Sequence, residues 1–237
     1  MRESISVCMA TYNGERYIRP QLESILSQLN DTDEIIVSDD GSTDNTCDII
    51  KSYGDNRIKL ISNTGTRGYT SNFENALQHS KNQIIFLSDQ DDIWLKNKVS
   101  ICLKELENTA FVVHDATIVN QNLNIISPSY FNERKVLHGF WGNIIKFGYL
   151  GCCMAFRREV LNAALPFPPN HHLCTHDNWL FLVASKSFRY KVIYQSLILY
   201  RRHSSNTSTG GKKRTLDLFF MLKYRLYLLY HLFSKSL

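Results

Sequence analysis

The first 115 residues alternate between short apolar, β-branched runs and longer amphipathic stretches, and nothing else in the chain restricts its fold as tightly. "ISVCMA" (5–10), "EIIVS" (34–38), "RIKLIS" (57–62), "QIIFLS" (83–88) and "AFVVHDATIV" (110–119) predict strands. Between them, Ile18, Leu22, Ile25, Leu26 and Leu29 fall at helical spacing, and Ser42 or Thr43 is placed to cap a second helix running toward Tyr53. Further helices are expected over 70–79 and 95–107. Strand and helix in turn mean βαβ units, hence an α/β fold with a mostly parallel sheet covered on both faces. In such sheets ligands bind outside the carboxyl ends of the strands, so the strand ends carry the functional information.

Beyond residue 120 the pattern loosens. "NQNLN" (120–124) reads as a turn, "YLGCCMAFRRE" (149–159) as a strand entering a helix, and "LPFPPNHHLCTH" (165–176) as a loop. A helix over 177–186 precedes two more candidate strands, "YKVIY" and "SLILYRRH". A length of 237 residues without an obvious linker suits one large domain. Lys and Arg number 27 against 22 Asp and Glu, a basic excess suited to phosphate-bearing ligands or an anionic membrane surface and too weak for nucleic acid. Six cysteines, Cys8, Cys47, Cys102, Cys152, Cys153 and Cys174, show no CxxC spacing and read as reduced core thiols of a cytoplasmic protein. The N-terminus lacks the apolar core of a signal peptide, and no run of about 18 uncharged apolar residues predicts a spanning helix.

Three strand ends share one kind of content. The first ends in Thr11–Tyr12–Asn13–Gly14, the second in Asp39–Asp40–Gly41–Ser42, and the fourth in Asp89–Gln90–Asp91–Asp92. In a parallel sheet all three lie on one rim. There a tyrosine offers a stacking face for a base, an aspartate accepts from a base N–H or a ribose hydroxyl, and paired aspartates hold a hard divalent cation. Each piece has a plainer reading beside it. "DDGSTD" also makes a good turn and helix cap, and Asp92 is placed to cap the helix that follows while the other carboxylates are solvated.

Taken in order, these residues resemble the family 2 glycosyltransferases of GT-A fold. The resemblance runs over nearly the whole chain, through "SVCMATYNGERYIRPQLESILSQ", "EIIVSDDGSTDNT", "GYTSNFENAL", "IIFLSDQDDIWLKNKV", "GCCMAFRRE", "HDNWL" and "YRRHSSNTS". Within the family the chain looks closest to bacterial enzymes of cell-surface polysaccharide assembly, rhamnosyltransferase-like ones among them. The resemblance implies a single Rossmann-like sheet and a nucleotide-sugar donor, UDP- or dTDP-linked. It also implies a glycan or lipid-linked acceptor and inversion at the anomeric carbon.

Residue by residue, Thr11, Tyr12 and Asn13 match the family's first nucleotide-binding loop, and Asp40 matches the carboxylate that reads the base. Asp89 and Asp91 match the DxD motif: Asp91 as direct ligand to Mg²⁺ or Mn²⁺, Asp89 toward the ribose or a metal-bound water. The motif leaves Asp92 open. Asp177 matches the catalytic base, although a carboxylate at a helix start is also favoured by the helix dipole alone. His176, where the family often has Glu, reads as a loop histidine or as one that orients Asp177. Arg202 and His203, with Arg201 beside them, are implied as contacts for the diphosphate, and otherwise as basic residues at a strand end. His171, His172, Cys174 and His176 invite a zinc reading, but their spacing matches no familiar site.

The expected organisation is a catalytic domain over 1–211, with a nucleotide-binding half to 115 and an acceptor half beyond it. A basic amphipathic helix over 212–237 follows. That tail joins Lys212, Lys213 and Arg214 to a run rich in Leu, Phe and Tyr, broken by Lys223, Arg225 and His231. It is expected to lie on the inner face of the plasma membrane, to pack on the domain, or to join two copies as a homodimer. Two other functions use the same residues: a non-catalytic nucleotide-sugar-binding subunit of an assembly complex, and a metal-dependent phosphotransferase.

Overall fold

A computed structural model describes residues 2–203 and 218–235. The basic cluster Lys212–Arg214 and the expected boundary at 211/212 lie outside them. Strand β1 (Ile5–Thr11) lies at the heart of one sheet, between β2 (Glu34–Asp39) and β4 (Ile84–Ser88), with β3 (Ile58–Ser62) beyond β2, all four parallel. Ile5, Val7, Cys8 and Met9 are buried in succession, because a parallel strand is covered on both faces and has no solvent side to keep polar. Helices α1 (Ile18–Leu26), α2 (Thr46–Lys51) and α3 (Tyr69–His79) make the crossovers. The strand order reverses after β3, so right-handed crossovers place α3 on the face opposite α1 and α2. That reversal makes the crevice between β1 and β4 the switch point at which such sheets take their ligands.

After β4 the chain makes a two-residue strand, β5 (Ile93–Trp94), before α4 (Lys98–Leu106). The helix expected from residue 95 therefore starts later, and Asp92 does not cap it. Strand β6 (Phe111–Asn120) continues the sheet through the expected division at residue 115, and β7 (Ile125–Ser127) pairs back on it through the predicted turn. Short helices α5 (Tyr130–Arg134) and α6 (Gly139–Ile145) lead to a 3₁₀ turn, Gly151–Cys153, then to β8 (Met154–Arg157) and α7 (Arg158–Ala164). Strand β8 lies antiparallel between β4 and β6.

Helix α8 (His176–Ser187) buries Trp179 through Ala184 without interruption, the pattern of a helix enclosed on all sides. The two strands expected after it are one, β9 (Tyr190–Arg202), parallel to β6 and antiparallel to β5. The register shifts between His114 and Asp115, where β9 passes through Tyr194 and Gln195, and again between Asp115 and Thr117, and the sheet absorbs both as irregularities. Helix α9 (Leu218–Ser234) packs on α8, where Leu228 and Leu232 are fully buried. No helix among the described residues is long and apolar enough to cross a membrane. Five of the six cysteines are buried and all six are free thiols.

Candidate active site at the carboxyl ends of the strands

The three loops predicted to share a rim are bound to one another. The Tyr12 amide donates to Gln90 Oε1 (2.9 Å), and Gln90 Nε2 donates back to the Tyr12 carbonyl (3.0 Å), so the first loop and the acidic loop close as an amide pair. A Cβ on Gly14 would stand 2.3 Å from Gln90 Oε1, so only glycine admits this approach. Asn13, at φ 47°, accepts the Thr43 amide at 2.8 Å and donates its own amide to Ser42 Oγ at 2.9 Å, which fixes the second loop. Tyr12, just past the carboxyl end of β1, is left with half its surface exposed. Buried Thr11 and Asp39 are internal: Thr11 Oγ1 donates to Asp39, whose other oxygen accepts the Gly41 and Ser42 amides. Asp40 is half-buried and aimed at the third strand end, accepting from Asn63 Nδ2 (2.7 Å) and the Gly68 amide (2.8 Å).

The three carboxylates of the acidic loop differ sharply in surroundings. Asp89 is half-buried, and burial followed by repulsion from Asp91 pushes its carboxyl up to about 7. Asp92 is 1% exposed; Oδ1 accepts the Arg201 amide at 3.0 Å, and Oδ2 has no hydrogen-bond partner. Burial and its two acidic neighbours hold the Asp92 carboxyl well above the usual range. Asp91 Oδ2 lies 2.8 Å from His203 Nε2, and the His203 ring stacks on Tyr17 at 4.6 Å. Arg201 is buried: its guanidinium donates to the carbonyls of Asp91 (2.7 Å) and Gln121 (2.8 Å) and covers the Tyr17 ring. It therefore braces the loop, whereas Arg202 is half-buried with its guanidinium 6.0 Å over the Tyr200 ring.

Asp177 stands in the first turn of α8. Its Oδ1 accepts from Thr175 Oγ1 and from the Asn178 amide, which leaves Oδ2 for another donor. His176 is not a loop histidine: it is buried, stacked on Phe73 at 4.1 Å, and neither ring nitrogen has a partner. Burial lowers its pKa and keeps it neutral. The 3₁₀ turn joins this side to the acidic loop. A Cβ on Gly151 would meet His176 Nε2 at 2.7 Å and Asp177 Cβ at 3.3 Å, while Cys152 Sγ, Asp89 and Asp92 bring ligand atoms within 4.8 Å of one another.

Four supporting residues gave no usable signal in sequence. Lys98 is fully buried, donates to the Cys152 carbonyl at 2.8 Å and lies 4.0 Å over the Trp94 ring; burial lowers its pKa. Gln21 sits inside the apolar stripe of α1, yet donates to Ser88 Oγ (2.6 Å) and the Asp89 carbonyl (3.0 Å). With Gln90 and Cys152, these hydrogen bonds join residues 54 to 78 apart in sequence, where spacing carries no information. The donor set fits a hard divalent ion: three carboxylates in four positions, one buried oxygen unpartnered, and an imidazole beside Asp91. The Cys152 thiol, raised by Cys153 and by burial, stays protonated and is a poor ligand for such an ion. His171, His172, Cys174 and His176 form no three-ligand grouping among the described residues.

A family model described as Glycosyl transferase family 2 matches residues 6–165. The chain is 28% identical over 213 residues to the UDP-Glc:alpha-D-GlcNAc-diphosphoundecaprenol beta-1,3-glucosyltransferase WfgD of Escherichia coli, covering 88% of this chain and 80% of that protein. It is 31% identical over 219 residues to the dTDP-rhamnosyl transferase RfbG of Shigella flexneri, covering 84% and 72%. Among solved structures, S. aureus TarS 1-349 in complex with UDP-GlcNAc superposes with a TM-score of 0.73 at 18% identity, over 100% of this chain and 68% of that one. Mannosyltransferase PcManGT from Pyrobaculum calidifontis, in complex with GDP-Man and Mn²⁺, gives 0.62 at 19%, over 100% and 77%. At these identities the two structures speak for the fold.

Proposed function

The chain belongs to glycosyl transferase family 2, and from that premise we propose that it moves a sugar, with inversion, from a UDP- or dTDP-linked donor to a hydroxyl of a lipid-diphosphate-linked acceptor. The observation that carries this reading is the convergence of the acidic loop and Asp177 on the Gly151–Cys153 turn, at the switch point of the sheet. The nucleotides and the lipid-linked acceptor are those in the names of the relatives.

The Tyr12 ring offers a face to the base, and Asp40, anchored by Asn63 and Gly68, accepts from its N–H edge. Asp91 and His203 would hold Mg²⁺ or Mn²⁺, with Asp89 facing the ribose or a water of that ion. When bound, the ion supplies Lewis-acid stabilisation of the negative charge on the leaving nucleoside diphosphate. Arg202 adds positive charge on the same side. Asp177 Oδ2 takes the proton of the acceptor hydroxyl as its oxygen bonds to the anomeric carbon. The bond from that carbon to the diphosphate oxygen breaks in the same displacement, and the diphosphate leaves with the electron pair. Thr175 and the Asn178 amide hold Oδ1, so the reactive oxygen is fixed without being consumed.

A panel of nucleotide sugars with Mn²⁺ or Mg²⁺, scored for nucleoside diphosphate release, identifies the donor. Asp177→Asn is expected to reduce transfer about 10²–10⁴-fold while donor binding, followed by calorimetry, stays close to wild type. Transfer at the normal rate would remove Asp177 from the role of base. Phosphate released from simple phosphoesters would point to phosphotransfer instead.

A further inference from the structure

Helix α9 is apolar on two sides. Leu228 and Leu232 face the protein and are fully buried, whereas Leu222, Leu226, Tyr230 and Phe233 are 56%, 57%, 69% and 63% exposed. The exposed four recur at helical spacing along roughly 17 Å of the axis. A groove of about 430 Å³ runs beside them, with Lys223 among its lining residues. Helix α6 abuts the same helix: the Arg225 guanidinium donates to the carbonyls of Ile144 (3.1 Å) and Ile145 (2.6 Å). On α6, Trp141 and Ile145, one turn apart, are 68% and 59% exposed. A monomer rarely leaves this many large apolar side chains uncovered on adjoining elements.

The charges nearby select what covers them. No acidic residue occurs from 134 to 158 or from 218 to 237, while Lys135, Lys146, Lys223 and Arg225 fall in those stretches. A second copy paired through this face would set these cations against their own counterparts; lipid phosphates complement them instead. Trp141 and Tyr230, apolar with one polar handle, suit the headgroup boundary.

We infer that α9 and α6 form a docking face for an anionic lipid bilayer, on which the enzyme sits without spanning it. The inference stands on the exposed face and takes its functional sense from the transferase reading. Tyr224, on the inner side of α9, is hydrogen-bonded to Asn178, the residue after Asp177. Docking through the outer side of α9 therefore holds the base's helix against the surface in which a lipid-linked acceptor is anchored.

The test is co-sedimentation of the full chain with phosphatidylcholine vesicles, with or without one third phosphatidylglycerol. Binding is expected to the anionic vesicles and to weaken with added salt. Leu222→Glu combined with Leu226→Glu should lower the vesicle-bound fraction at least about tenfold, and Trp141→Ala on the other element should lower it several-fold. The double variant should unfold at the wild-type temperature and release nucleoside diphosphate from donor at the wild-type rate without vesicles. Loss of that release in the wild type would strike the transferase reading alone. A wild-type chain that stays in the supernatant with anionic vesicles overturns the docking face. So does a dimer in light scattering that the double variant converts to monomers, because a second copy would then be the cover.

Discussion

Gly151 shows how one missing side chain holds two halves of a site together. A methyl group there would press into the His176 ring, which is stacked on Phe73 and has nowhere to retreat, and would crowd Asp177. Gly151→Ala is expected to cost about 1–3 kcal/mol by overpacking, read as a lower thermal midpoint, and to lower kcat more than donor affinity. An unchanged midpoint with unchanged kcat would mean that the turn yields freely. The acidic loop divides at the same scale. Asp91 meets His203 and a braced backbone, whereas Asp92 points one oxygen to the Arg201 amide and the other to no partner.

At the level of elements, the parallel strands β1 and β2 are locked at their amino ends by Glu34. Burial would raise its pKa, but hydrogen bonds from Lys59 (2.6 Å), Ser6 (2.7 Å) and the Lys81 amide (2.7 Å) outweigh that and hold it below the ordinary value of 4.5. A depressed carboxyl stabilises the fold above its unfolded pKa, and the contribution is lost as pH falls through its folded value. Wild type should therefore lose stability relative to Glu34→Gln as pH drops below about 4.5, measured by denaturant unfolding across that range. Parallel pH curves for the two proteins would contradict the assignment. Helix α8 shows a different use of burial: enclosed on every side, it carries Asp177 on a rigid element, which suits the role of base proposed for it.

Across the whole molecule, one sheet runs from β3 to β5 through both expected halves, and α9 closes over α8. If α9 belongs to the same cooperative unit, Tyr224→Phe should leave Asn178 Nδ2 without its acceptor and cost about 1–3 kcal/mol in one unfolding transition. A separate low-temperature transition, or no change in the midpoint, would make α9 an independent appendage. The outward side of the same helix is the docking face we infer, so on that reading its two sides would serve the proposed base and the lipid surface.

The sequence alone determined the βαβ succession, the parallel sheet and the carboxyl-end loops, because burial on both faces writes a continuous apolar run and crossovers write a 3.6-residue period. The crowded carboxylates Asp89, Asp91 and Asp92 stood out in the sequence because like charges so close are costly, whereas Asp40 and Asp177 were singled out by the resemblance to the family and not by their spacing. Only the tertiary structure decided the length of β9, the β5 interruption after Asp92, the burial of His176 and Lys98, and the pairing of Asp91 with His203. Each of these depends on contacts between segments far apart in the chain. Local periodicity records which side of an element is buried and carries no trace of the distant residue that buries it.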